Sequence, residues 1–271
     1  MTFPTFALPA FAPTSWGLIF VLSAAVILWL VSLKRCDAGI VDMFWGLGIA
    51  GVVDIAAALG HASGPRTSIV LFLVNLWAVR LAAHIWARRS PQEGEDHRYT
   101  AMRSRFGGNW WWVSLFQVFL LQAILIWFIP APLAAAVLYS QVPMGWLDYL
   151  GVAIAVCAFV FEALADFQLS AFRADPANTG KVMDRGLWSW SRHPNYFGET
   201  MLWWGFFVIG FAASHQWWLI LSPLLVTFLL LKVSGVTLME EGIEKRRPGY
   251  DAYKRRVSAF LPWPPMRDRQ K

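Results

Sequence analysis

The sequence predicts an all-α, polytopic membrane helix bundle of about seven transmembrane helices, and three observations carry that prediction. Of 271 residues, 57% are hydrophobic and only 15% are charged, with a mean hydropathy of +0.47. A soluble domain carries about 25% charged residues, so this chain has too little polar surface to cover a water-facing globule. Its seventeen Trp and twenty Phe suit a bilayer, because Trp gathers where hydrocarbon meets water. Finally, apolar runs recur at the length that crosses a hydrocarbon core of about 30 Å, roughly 20 residues of helix. The same numbers exclude a disordered chain, a collagen-like repeat and a disulfide scaffold.

Taken in order, the runs fall near 15–33, 38–60, 68–87, 113–139, 145–169, 198–214 and 216–238. The stretch before the first, MTFPTFALPAFAPTSWG, lacks a basic n-region, so that run reads as a retained helix and not a cleaved signal. The fourth contains Pro130 and Pro132, which predict a kink or break because proline removes a helical N–H and clashes with the preceding turn. The sixth is short and would tilt or sit partly re-entrant. No internal repeat or separate soluble domain is visible. The chain therefore reads as one membrane domain over 1–271, with four N-terminal helices (1–139) and a C-terminal half (140–265).

Cation placement predicts the orientation. Twenty of the 23 Lys and Arg lie in alternate connections and the tail: Lys34 and Arg35; Arg88 to Arg105; Arg173 to Arg192; Lys245 to Lys271. Positive residues favour the cytoplasmic side, so the expected topology is N-out/C-in with the long polar loops facing the cytoplasm. A multi-pass protein of a bacterial inner membrane fits this pattern. The net charge of +6 is spread over those loops, which argues against a nucleic-acid partner. Cys36 and Cys157 sit in apolar surroundings without metal-ligand spacing, and no metal is expected.

Charged side chains inside spans are costly and face a cavity or a partner. Asp42, Asp54, Arg80, His84, Glu162, Asp166 and Glu199 are such residues. Arg80 and His84 are four apart and share a helix face, as do Glu162 and Asp166, and Asn195 and Glu199. Two readings stand at Arg80: an ion pair with Asp42 or Asp54 that holds helices together, or a place in a site.

The densest polar stretch is DFQLSAFRADPANTGKVMDRGLWSWSRHPNYFGE, from Asp166 to Glu199. Asp175 to Gly180 is turn chemistry that ends the fifth helix. Lys181, Arg185 and Arg192 place three cations in one loop, suited to an anionic ligand. His193 precedes Pro194 at a new helix start, whose free N–H groups favour anions. A loop that merely touches lipid headgroups leaves Asp166 and Glu199 unexplained. A polar pocket at these helix ends explains both, with Glu240, Glu241, Tyr250 and Tyr253 completing a wall. The following YDAYKRRVSAFLPWPP reads equally as an interfacial anchor.

SRHPNYFGE, followed by the acidic pair and GYDAYKRRVSAFLPW, resembles the steroid 5α-reductase superfamily, particularly its bacterial membrane branch. It also resembles isoprenylcysteine carboxyl methyltransferases, which bind S-adenosylmethionine. The reductase resemblance implies an NADPH cofactor held by Asp166, Arg173, Lys181, Asn195 and Glu199, with Arg192, His193, Tyr196, Glu240, Glu241, Tyr250 and Tyr253 as additions. It further implies a carboxyl group on the second helix and a tyrosine on the third that grip a substrate ketone. Asp42 suits the carboxyl position. The third span contains no tyrosine, and His84 stands near its place. The expectation is reduction of a conjugated C=C bond in a lipid or steroid-like enone, with His84, helped by Arg80 or a protonated Asp42, as donor to the enolate oxygen. A methyltransferase using S-adenosylmethionine and a non-enzymatic lipid-binding or transport protein are the alternatives. Substrate and oligomeric state stay open.

Overall fold

The computed structural model describes residues 11–88, 94–233, 235, 236, 240, 243 and 247–266, with side chains from 14 onward. Among them there is no β-strand; one isolated bridge joins Ser191 and Ser258. The helices are α1 (Phe11–Arg35), α2 (Ile40–Leu59), α3 (Pro65–Arg88), α4 (His97–Phe106), α5 (Trp110–Ser114), α6 (Leu121–Phe128), α7 (Ala131–Leu138), α8 (Trp146–Ala174), α9 (Pro194–Ser214), α10 (Leu221–Phe228) and α11 (Tyr250–Arg256).

Among the described residues, five segments are long and apolar enough to cross a membrane: Thr14–Arg35, Ile40–Leu59, Pro65–Arg88, His97–Leu138 and Trp146–Ala174. The sixth predicted run is α9, of 21 residues, and the seventh is the shorter apolar stretch Trp217–Val233. The protein is thus all-helical and built as an integral, multi-pass membrane protein. Glu241 and the tail cations Lys245, Arg246, Arg267, Arg269 and Lys271 lie outside the described residues, as does Arg89.

The chain divides into two compact units. The first comprises residues 1–148 and 209–219. Its centre is α2, which packs on α1, α3, α6 and α7 and buries ten residues, from Ile40 to Ala57. Gly46 permits the α2–α3 crossing: a Cβ there would stand 3.2 Å from the Ala78 backbone. On the outer faces of α1 and α3, Ile19, Ile27, Phe72 and Val79 are exposed. That inverts the pattern of a water-soluble helix and is what a hydrocarbon solvent favours. The fourth predicted run is broken as its prolines require. A 3₁₀ turn (Gly107–Asn109) precedes it and a π-helix (Leu115–Leu120) interrupts it, and Pro130 then caps α7.

One ion pair locks an end of this unit. Arg66, 2% exposed, forks onto Asp148, 1% exposed, through Nε–H to Oδ1 (2.7 Å) and Nη2–H to Oδ2 (2.9 Å). Its remaining donors reach the carbonyls of Tyr139, Val142 and Pro143. All five guanidinium protons are thereby used.

The second unit comprises residues 149–208 and 220–271. Within it α9 lies directly on α8, because two glycines seven residues apart remove the intervening side chains. A Cβ on Gly198 would stand 2.8 Å from the Glu162 backbone nitrogen, and one on Gly205 would stand 2.7 Å from that of Ala155. Small residues at such crossings let membrane helices approach closely. Past α8, Asp175 accepts from the Ala177 N–H and starts a 3₁₀ turn, Pro176–Asn178. A second 3₁₀ turn, Gly186–Ser189, leads into α9.

Candidate functional site

Among the described residues, each unit carries a polar cluster that includes residues the sequence singles out. In the first unit the cluster forms around Asp42, in the first turn of α2. The Tyr99 hydroxyl donates to Asp42 Oδ1 at 2.8 Å, and Arg98 Nη2 donates to Oδ2 at 2.8 Å. Both donors come from α4, whose start is fixed by Asp96: its carboxylate accepts from the Arg98 backbone N–H at 2.9 Å and from Arg98 Nε at 3.0 Å. Burial acts to raise the Asp96 pKa, but the Arg98 hydrogen bonds outweigh it and hold the carboxyl below its ordinary value. Tyr99 is buried. Gln122 Nε2 donates to its hydroxyl oxygen at 3.4 Å, while the buried Gln122 Oε1 has no hydrogen-bond partner.

A neighbouring bond set braces the α1–α2 turn. Glu95 accepts from the Ala38 N–H at 2.8 Å and from Arg103 at 2.9 and 3.0 Å. Arg98 and Arg103, which the sequence presents as loop cations, are therefore ion-paired. Asp54 accepts from Asn75 Nδ2 at 3.0 Å. Arg80 and His84 lie one turn apart on α3, both half-buried.

In the second unit the stretch from Asp166 to Glu199 separates into two parts. On the α8–α9 crossing, Glu162 and Asp166 are buried. Asn195 Nδ2 donates to Asp166 Oδ1 at 3.0 Å; buried Asn195 Oδ1 and buried Thr200 Oγ have no hydrogen-bond partner among the described residues. Glu199 and Tyr196 are half-buried on α9, while Arg173 and Lys181 are exposed.

The other part is Ser191–His193, tied to the tail. Arg192 forks onto Glu240 at 2.7 and 3.1 Å and reaches the carbonyls of Lys254 and Val257 through Nη1. His193 Nε2 stands 3.1 Å from Glu240 Oε1, and its ring stacks on Tyr196. Burial pushes the Glu240 carboxyl up, yet His193 and Arg192 together bring it down to about 2. The Arg192 N–H donates to the Ser258 carbonyl, and the Ser191 hydroxyl to that of Phe260. Tyr250 and Tyr253 are buried with Val257. The Tyr253 hydroxyl donates to the Trp188 carbonyl at 2.6 Å, and burial raises its pKa. Of the tail residues that the sequence groups with a cofactor, Glu240 and Tyr253 thus bind the motif loop and shape it, as a clasp, with Tyr250 packed beside Tyr253.

Tyr99, Arg98 and Gln122 were not singled out from the sequence. The available signal was Asp96, a capping residue three positions before a tyrosine. Among the described residues, no three His, Cys, Asp or Glu side chains gather as a metal site.

Residues 28–257 match the family described as a protein of unknown function (DUF1295). The chain is also similar to an uncharacterized protein of Schizosaccharomyces pombe, 26% identical over 275 residues that cover 91% of this chain and 78% of the yeast protein. No solved structure matches the chain.

Proposed function

The chain belongs to the DUF1295 family, and from that premise we propose that it is a membrane-embedded, NADPH-dependent reductase of a conjugated C=C bond in a lipid or steroid-like enone. The topology that goes with this reading is N-out/C-in, with the polar site on the cytoplasmic side. The observation that carries it is the Tyr99–Asp42 hydrogen bond. A resemblance to the steroid 5α-reductases calls for a carboxyl group on the second helix beside a tyrosine, and α4 supplies the tyrosine that α3 lacks.

NADPH, when bound, would supply hydride to the β-carbon of the enone. Negative charge then grows on the substrate oxygen, and stabilising it needs a donor already aimed there. Tyr99 is that donor in this proposal. Gln122 sits against its hydroxyl oxygen, and Asp42 orients the O–H. Arg98 pairs with the other Asp42 oxygen at 2.8 Å and holds the carboxylate in place. Rotating the hydroxyl from Asp42 to a substrate carbonyl delivers the hydrogen bond, and a proton from water or from that donor then reaches the α-carbon to complete the reduction. Arg80 and His84 remain the α3 donors of the same reading.

The residues fit a phosphate-bearing dinucleotide. Asn195 Oδ1 and Thr200 Oγ are buried with no hydrogen-bond partner among the described residues, and Arg173 and Lys181 are exposed cations of the type that phosphate attracts. Asp166, Asn195, Glu199, Arg173 and Lys181 would hold the cofactor, with Arg192, His193 and Glu240 shaping the loop that carries it.

The test is a titration of purified protein in detergent with NADPH, NADH and S-adenosylmethionine in parallel. Tight NADPH binding weakened by Lys181→Ala is expected. With an enone lipid, Tyr99→Phe should lower turnover about 10²-fold, the scale of one lost transition-state donor, and leave NADPH affinity unchanged. Binding of S-adenosylmethionine instead would move the site to methyl transfer, and binding of none would favour lipid transport.

A further inference from the structure

The tail beyond α11 presents a surface that the clasp does not use. The inward face of α11 is spent on the protein itself, since Tyr250, Tyr253 and Val257 are buried. An amphipathic-helix anchor would place those residues in lipid, so α11 is not the anchor. What lies exposed is the irregular hook after it: Leu261 is 62% exposed, Trp263 69% and Met266 63%, with Trp190 of the motif loop at 49%. Two backbone bonds gather them. The Trp263 N–H donates to the Trp190 carbonyl at 2.9 Å, and the Met266 N–H to that of Arg256 at 2.9 Å. Beside this apolar set, Lys254 and Arg255 are exposed.

We propose that this hook seats in the anionic headgroup layer of the bilayer that the chain spans, with Trp190, Leu261, Trp263 and Met266 at the hydrocarbon boundary and Lys254 and Arg255 on the lipid phosphates. The composition fits one occupant. Trp, with an apolar body and a polar N–H, prefers the interface to either water or hydrocarbon. Adjacent Lys and Arg add an attraction specific to anionic lipid. The hook also bears directly on the motif, since Ser258 and Phe260 accept the bonds that hold Arg192 and Ser191. Lipid contact at the hook therefore steadies the loop that leads into α9. This inference needs only that the chain spans a membrane, not that it is a reductase.

The test uses full-length protein with Cys36→Ser and Cys157→Ser, both cysteines being exposed, and a bimane probe on Leu261→Cys. The protein is placed singly in nanodiscs of phosphatidylcholine alone or with phosphatidylglycerol. Doxyl-labelled lipids report lipid contact, and acrylamide reports water. The expected result is stronger doxyl quenching and weaker acrylamide quenching with phosphatidylglycerol, reversed by high salt. Replacing Lys254 and Arg255 by Gln should cut the preference for anionic lipid roughly fivefold per cation. A probe open to acrylamide in both discs overturns the proposal. So does equal doxyl quenching in both, which would mean apolar contact without headgroup recognition. Shielding from acrylamide without doxyl quenching would assign the hook to protein instead, and also overturns it.

Discussion

Replacing Glu240 by Gln removes the charge that gathers the motif loop, and its cost can be worked from the structure. The carboxyl titrates at about 2 in the folded protein against an ordinary 4.5. At about 1.4 kcal/mol per pKa unit, that sets a ceiling of about 3 kcal/mol on the stabilisation at neutral pH. Some screening by water remains, since the Arg192 and Glu240 side chains are 9% and 12% exposed, and discounting for it leaves about 2 kcal/mol. For a chain of this size that corresponds to roughly 4–6 °C in Tm. The sign of the pH dependence follows from the lowered value. The contribution is complete above about pH 4.5, where the unfolded carboxyl is ionised too. It declines as the pH falls towards 2 and is lost below it. The assay is tryptophan-fluorescence thermal unfolding in detergent of wild type and Glu240→Gln from pH 7 to pH 3. The gap in Tm should hold from pH 7 to about 5 and shrink by more than half at pH 3. A gap below 1 °C at pH 7, or one that widens on acidification, would refute the reasoning that Glu240 organises the loop as a carboxylate.

Two further outcomes are expected. Asp148→Asn should destabilise the protein by about 3–5 kcal/mol, because it leaves the buried Arg66 cation without its counter-charge; a thermal shift indistinguishable from wild type would show that the pair is dispensable. Gly198→Ala should cost about 1–3 kcal/mol, because the added methyl meets the α8 backbone rather than a side chain able to move. Thermal unfolding checks it, and Ala at the open position Gly145 serves as the mild control.

The membrane helices were legible because hydrophobicity is a local property. Each apolar run is written in consecutive residues, and the break at Pro130 follows from the chemistry of one residue. The α8–α9 pair Asp166–Asn195 was likewise signalled by polar residues at helical spacing. The Asp42 cluster was not, because its members are drawn from α2, α4 and α6 and no period links positions 42, 99 and 122. Tyr99 sits among cations in a segment that reads as a polar connection, outside the third span in which the resemblance places a tyrosine. Arg66 and Asp148 failed to announce themselves for the same reason, being 82 residues apart. Tyr253 looked available for a ligand because sequence records a hydroxyl and not the carbonyl that accepts from it.

The Arg66–Asp148 pair also orders events in time. A ribosome releases Arg66 long before Asp148 exists, so during synthesis the first three helices carry an unmatched cation at a membrane edge. Only when the start of α8 emerges can the carboxylate arrive and take the last two of the five donors, the Arg66 Nε and Nη2 bonds to Asp148. Until then the register of α3 in the bilayer is provisional. The later helix thus acts as a latch on a topology begun earlier, and a chain ending before residue 148 would be made without it.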